Sequence, residues 1–167
     1  MKRKKMIGLG LALMILVVSF PLPAKSNSFS SYGPETKRIG AGLYLGEPTG
    51  FTFKAYLSER LAIDAIAGWG LHHEVFTIIG DVTYDFLDLP IQSNVVTLPF
   101  YAGLGAKMEF HSGPNDDTVV GLRVPVGVAV QWIRHPFEVF AEIAPGMKVV
   151  PSTEIDIMGG VGARFYF

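Results

Sequence analysis

The chain has 167 residues, enough for one domain, and no Cys, which excludes a disulfide framework and a thiol-linked lipoprotein anchor. Only 17% of its residues are charged, against about 25% in a soluble domain, and 19 are Gly, so the chain calls for an apolar solvent or an unusual core. Setting aside residues 1–24 leaves 10 of the 14 Lys and Arg against all 15 Asp and Glu, a net of −5, the wrong sign for a nucleic-acid partner.

Residues 1–24 read as a secretory signal peptide. Lys2, Arg3, Lys4 and Lys5 form the basic start, Ile7 to Phe20 the apolar run, and Leu22-Pro23-Ala24 the cleavage region. The apolar run falls short of the roughly 20 residues that a spanning helix needs. Residues 25–36 are Ser-rich and read as a flexible N-terminal lead. From residue 37 onward the apolar period is two, not 3.6. It breaks into eight segments, 37–46, 49–57, 60–70, 74–86, 96–110, 118–132, 137–148 and 156–167, separated by turn residues. Mostly short connections imply an up-and-down meander of antiparallel strands, and hence an all-β fold.

Each segment has an apolar face and a face that carries all its interior charge. In 49–57, Phe51, Phe53 and Ala55 alternate with Thr52, Lys54 and Tyr56; in 118–132, Leu122, Val124, Val126 and Val128 alternate with Arg123, Pro125 and Gly127. The charged face thereby collects Lys54, Asp64, Asp81, Lys107, Glu109, Arg123, Glu138, Glu142 and Arg164. Three features turn the apolar face outward. Its aromatics band at the segment ends, with Phe51, Trp69, Phe76 and Phe110 at one rim and Phe86, Phe100, Trp132, Phe137, Phe165 and Phe167 at the other. Two aromatic girdles around an aliphatic belt suit a bilayer. The charged face is thinned by glycines that leave room in a narrow lumen, and the segments have the 9–11 residues that a tilted crossing takes. Closure satisfies every backbone group in lipid. The expected fold is a closed, up-and-down, eight-stranded antiparallel transmembrane β-barrel spanning 37–167.

The chain ends in Gly162-Ala163-Arg164-Phe165-Tyr166-Phe167, an alternating strand with a terminal Phe. It resembles the C-terminal signal of outer-membrane barrels, so Phe165 and Phe167 are implied as the assembly signal read by the barrel-insertion machinery. Residues 37–167 as a whole resemble the small eight-stranded barrels of the OmpA and OmpX type. They resemble more closely a set of uncharacterised outer-membrane barrel proteins that share a Gly-Glu-Pro-Thr-Gly hairpin (here Gly46 to Gly50) and an Ile-Ala-Pro segment (here Ile143 to Pro145). The resemblance implies residence in the outer membrane as a monomer with lipid as its surroundings. The short outer loops argue against a protruding adhesive sheet.

With the N-terminus periplasmic, residues 46–49, 71–74, 111–117 and 149–155 face the exterior. A metal at His72-His73 beside Glu74 lacks further ligands at useful spacing, so no metal or cofactor is assigned. A lipid A-modifying enzyme needs a Ser hydrogen-bonded to a His. His111-Ser112 is the sole adjacent pair, and neighbours point to opposite faces of a strand, so no catalytic residue is assigned. Reflection across the hairpins places Lys54 opposite Asp64, Asp81 beside Asp64, Lys107 and Glu109 near Arg123, and Glu142 opposite Arg164. These charges read as a structural network that fills the lumen, because eight strands enclose space for side chains only and buried charges persist when paired. Pro125 and Pro145 imply a bulge or a local gap in pairing. Gly127→Arg, on the polar face, is expected to be tolerated better by polarity than Ala141→Arg on the apolar one, with overpacking as the competing effect. The leading function is a non-enzymatic barrel with a structural or surface-contact role. The alternatives are a binding module using its exterior loops on an unknown extracellular ligand, a soluble lipocalin-like periplasmic carrier, and the lipid A enzyme.

Overall fold

The computed structural model describes residues 34, 37–70, 75–89, 93, 95–111 and 118–167. The expected signal peptide, the expected N-terminal lead apart from Pro34, and His72, His73, Glu74 and Ser112 lie outside the described residues. The fold is all-β. Ten strands form one antiparallel sheet: β1 (Ile39–Gly46), β2 (Thr49–Tyr56), β3 (Leu61–Trp69), β4 (Val75–Asp88), β5 (Val96–Thr97), β6 (Pro99–His111), β7 (Thr118–Arg123), β8 (Val126–Trp132), β9 (Phe137–Val150) and β10 (Glu154–Tyr166). Eight of them form a ring: β1, β2, β3, β4, β6, β7, β9 and β10 pair in that order, and β10 returns to β1 through Gly40↔Tyr166 to Gly46↔Gly160.

Ten strands stand where the period-two pattern gives eight segments because prolines interrupt two of them. Leu98, ahead of Pro99, separates β5 from β6, and Val124-Pro125 separates β7 from β8. Neither break shifts the register. Gly105↔Arg123 and Ala102↔Val126 continue one alignment on the β6 side, as Arg123↔Gly146 and Val126↔Ile143 do on the β9 side. Pro125 and Pro145 are therefore gaps and not bulges. Each keeps its carbonyl in the ladder, Gly103 N–H donating to Pro125 O and Val124 N–H to Pro145 O, both at 2.9 Å, and lacks only the donor that a prolyl nitrogen cannot supply. The bulges lie elsewhere, between Asp85 and Leu87 in β4 and where Val120 and Gly121 face β9.

Alternation in the strands becomes two surfaces. The inner one holds Lys54, Asp64, Asp81, Asp85, Lys107, Arg123, Glu138 and Arg164, all buried, and the outer one exposes Leu104 at 71%, Ile157 at 68% and Phe51 at 67%. Inner glycines serve a tighter purpose than room for charged side chains. Tyr101 is the cross-strand partner of Gly127, and a Cβ on Gly127 would stand 2.4 Å from its ring and 2.6 Å from the Ala141 carbonyl oxygen. Tyr166 lies on Gly40 and Phe140 on Gly162 in the same way. The ring thus curls over aromatic side chains seated on bare backbone. At Gly127 the competing effect named for Gly127→Arg, overpacking, is thus built into the wall. Gly127→Ala alone is expected to cost about 1–3 kcal/mol by overpacking; a urea titration in which it matches the parent chain would contradict that seating.

Candidate lumen charge network

Charge enters the ring because each strand places one alternate set of side chains, whichever phase carries its charges, on the same wall. The Lys54↔Asp64 and Asp64↔Asp81 partnerships put three charges side by side across β2, β3 and β4. Arg164 reaches them from β10. Its Nη2 lies 2.7 Å from Asp64 Oδ1, and its Nη1 donates to Glu138 Oε1 at 3.0 Å. Nε and Nη2 donate to Thr52 Oγ1 at 3.1 and 2.8 Å, and the guanidinium carbon stands 3.8 Å over the Phe140 ring. Lys54 Nζ is 3.8 Å from Asp64 Oδ2 and about equally far from two rings, 5.0 Å over Tyr56 and 4.9 Å over Tyr101. Thr83 donates to the same Asp64 oxygen at 2.7 Å.

A second group surrounds Arg123. Its Nη2 donates to Glu142 Oε1 at 2.6 Å, and its Nε stands 3.4 Å from Asp81 Oδ1. Tyr101 and Tyr44 hydroxyls donate to Glu142 at 3.0 and 3.4 Å. A third group lies nearer the end that carries the β1–β2 and β9–β10 connections. There Lys107 donates to Glu109 at 2.5 Å and to Asp156, and Lys148 Nζ is 4.0 Å from Glu109. At the opposite end Glu138 Oε2 accepts from Gln131 Nε2 at 2.7 Å and from Tyr166 Oη at 3.0 Å. Gln131 also donates to Tyr56 Oη at 2.9 Å, and Tyr56 donates to Asp85 at 3.2 Å. That tier closes its end of the ring: Tyr166 and Glu138 are fully buried, while Lys148 at the other end keeps 31% of its side chain in solvent.

All nine charges read from the sequence therefore lie on the inner wall, but two neighbour assignments change. Arg164 faces Glu138, not Glu142, and Glu142 belongs to Arg123. The β9–β10 hairpin pairs Glu154 with Lys148, so its centre falls at Pro151 rather than Thr153. Lys107 pairs with Glu109 and Asp156, and Glu109 also with Lys148, rather than either with Arg123, which is the partner of Gly105. The tyrosines, Gln131, Asp85 and Asp156 complete the network without having been singled out; their shared phase with the lysines and arginines was the available signal. His111 ends β6 and His135 lies exposed in the β8–β9 connection, and among the described residues no three His, Asp or Glu are placed to hold a metal ion. Phe165 and Phe167 point outward at the end of β10, and Phe167 N–H donates to Ile39 O at 2.9 Å.

No protein family, curated protein or solved structure matches the chain.

Because Glu138 is buried and takes three side-chain donors, Glu138→Ala is expected to cost about 3–5 kcal/mol, the effect of leaving a buried cation short of a partner. Lys148→Ala, at a long and solvated contact, is expected to cost under about 1 kcal/mol. Urea midpoints of the two variants check the order, and equal losses would contradict this partition.

Proposed function

We propose that the protein is a non-enzymatic integral outer-membrane protein, a closed eight-stranded transmembrane β-barrel with a plugged lumen and a structural or surface-contact role, working as a monomer. One observation carries the reading: the solvent preference of the two walls is inverted. Leu104, Ile157, Phe51 and Leu45 stand exposed on the outer wall, while Arg123, Arg164, Lys54 and Glu138 are buried on the inner one. In water this arrangement would lose hydrophobic burial on the outside and desolvate charge on the inside; in lipid both costs are relieved.

The outer aromatics support the same reading. Trp69, Phe76 and Phe110 run across β3, β4 and β6 at one rim, with ring centres 5.1 and 6.4 Å apart in sequence. Trp132 and Phe137, 5.6 Å apart, and Tyr84 and Phe86, 5.1 Å apart, sit at the other. Such girdles match the two interfaces of a bilayer. A lipocalin-like carrier would need an apolar interior for its ligand, and here that volume holds ion pairs. The terminal Phe165 and Phe167 remain the segment we assign to the insertion machinery.

Three measurements test the reading. The protein should stay in the pellet after carbonate extraction and migrate differently before and after boiling; release to the supernatant contradicts membrane residence. Ala141→Arg, on the exposed outer face of β9, should lower stability in lipid by about 2–4 kcal/mol, as arginine at the bilayer midplane does. The purified, refolded protein should show no stepwise conductance in planar bilayers, and discrete openings would contradict the plug.

A further inference from the structure

The outer wall is not evenly covered. On β2, Phe51 and Phe53 stand 67% and 41% exposed. Their neighbours on both sides include small residues: Ala41 of β1 lies beside Phe53, and Ala65 and Ala67 of β3 lie beside Phe53 and Phe51. An alanine ends one carbon from the backbone where a phenylalanine reaches on, so these five side chains border a hollow of about 520 Å³. Past Ala65 the wall stays low, because the cross-strand partner there is Gly80, where an added Cβ would meet nothing within 4 Å. In hydrocarbon such a hollow holds an acyl chain or forfeits the dispersion contacts of its lining.

The hollow has a charged mouth. Phe165 of β10 is the other cross-strand partner of Ala41, and Lys37 Nζ stands 5.8 Å from the centre of its ring. Lys37 precedes β1 and shares the phase of Ile39 and Ala41, so it lies below the hollow toward the closed end of the ring. Arg60, exposed in the β2–β3 turn, flanks that end from the other side. Charge is graded along the whole ring. Among the described residues Lys37, Arg38, Arg60 and Arg134 outnumber Glu59 and Asp88 at the closed end, and Glu47, Glu109, Glu154 and Asp156 outnumber Lys107 and Lys148 at the other. Hydrocarbon alone needs no cation at one mouth. A phosphate diester does, because it accepts charge-assisted hydrogen bonds from ammonium and guanidinium groups.

We propose that this hollow is the binding site of one anionic glycerophospholipid, its phosphate at Lys37 and Arg60 and one acyl chain along Ala41, Ala65 and Ala67 against Phe53. Net charge sets the choice of lipid. A head group that carries its own ammonium offsets part of the attraction to the two side chains, whereas one whose only charge is its phosphate keeps all of it. The inference rests on the proposed membrane reading and adds to it a lipid of stated charge at one place on the wall.

The test is native mass spectrometry of the protein refolded in neutral detergent and given dimyristoyl phosphatidylglycerol or dimyristoyl phosphatidylcholine. The two lipids share their acyl chains and differ in head-group charge. Wild type should bind the first phosphatidylglycerol about thirtyfold more tightly than phosphatidylcholine, the effect of two cations near a lipid head group. The Lys37→Gln, Arg60→Gln double variant should lose that preference and keep its affinity for phosphatidylcholine. Ala65→Phe, which fills the hollow, should weaken the binding of both lipids. Equal binding of the two lipids by wild type overturns the proposal. So does a preference that survives the double variant, or one that vanishes only with Arg134→Gln, since either places the lipid elsewhere on the wall. A second copy of the chain bound in place of lipid overturns it as well. If Ala65→Phe does not refold, the double variant decides, because Lys37 and Arg60 lie outside the strands. Carbonate extraction reports membrane residence separately, so a protein that stays in the membrane yet shows no lipid preference removes the site and leaves the membrane reading standing.

Discussion

The β10–β1 pairing is the constraint from which the rest descends. Seven aligned residue pairs, from Gly40↔Tyr166 to Gly46↔Gly160, join the last strand to the first and leave the eight-strand ring without an edge there. Closure at eight strands fixes a lumen just wide enough for side chains, so whatever points inward must pack against whatever else points inward. Charged residues in that position cannot keep their water. They survive by meeting one another, and Arg164 between Asp64 and Glu138 shows how: five donors planar enough to serve two carboxylates and Thr52 together.

The interior is solved in tiers, each with its own chemistry. Toward one end, tyrosine hydroxyls and Gln131 knit Glu138 to Asp85 in a buried tier. In the middle, arginines bridge strands distant in sequence, Arg164 reaching Thr52 over 112 residues. Toward the other end, Lys107, Glu109, Asp156 and Lys148 grade into solvent. Such a lumen is a buttress. Its ion pairs tie β2, β3, β4, β6, β7, β9 and β10 to each other through the axis, so that the wall is braced by side chains as well as by its ladders.

Much of this was legible in the sequence because period two is a strict code. A residue's phase within its own strand names its wall, and that phase put Lys54, Asp64, Arg123 and Glu138 on one surface and Phe51, Leu104 and Val128 on the other. Tight hairpins also fixed register: the turn between β2 and β3 is short, and Lys54↔Asp64 follows from it by counting. Register across β9–β10 did not follow, since the strand runs on past its last pair with β10, Lys148↔Glu154, and the irregularity facing Val120 and Gly121 falls in the same stretch. Four residues of offset then moved Arg164 from Glu142 to Glu138. The seating of the aromatic tier was illegible for another reason. Phase places Tyr56, Tyr101 and Tyr166 on the charged wall, but the pairing of Tyr101 with Gly127 or Tyr166 with Gly40 appears only once the ring curls.

The proposed membrane reading requires hydrocarbon against the outer wall. The chain has no Cys, so a single reporter can be placed at will. With Leu104→Cys, at a 71% exposed position on the outer face of β6, labelled with an environment-sensitive fluorophore and refolded into phospholipid vesicles, emission should be quenched by a quencher carried on lipid acyl chains and be indifferent to aqueous iodide. Efficient quenching by iodide with none from the acyl-chain quencher would contradict the account.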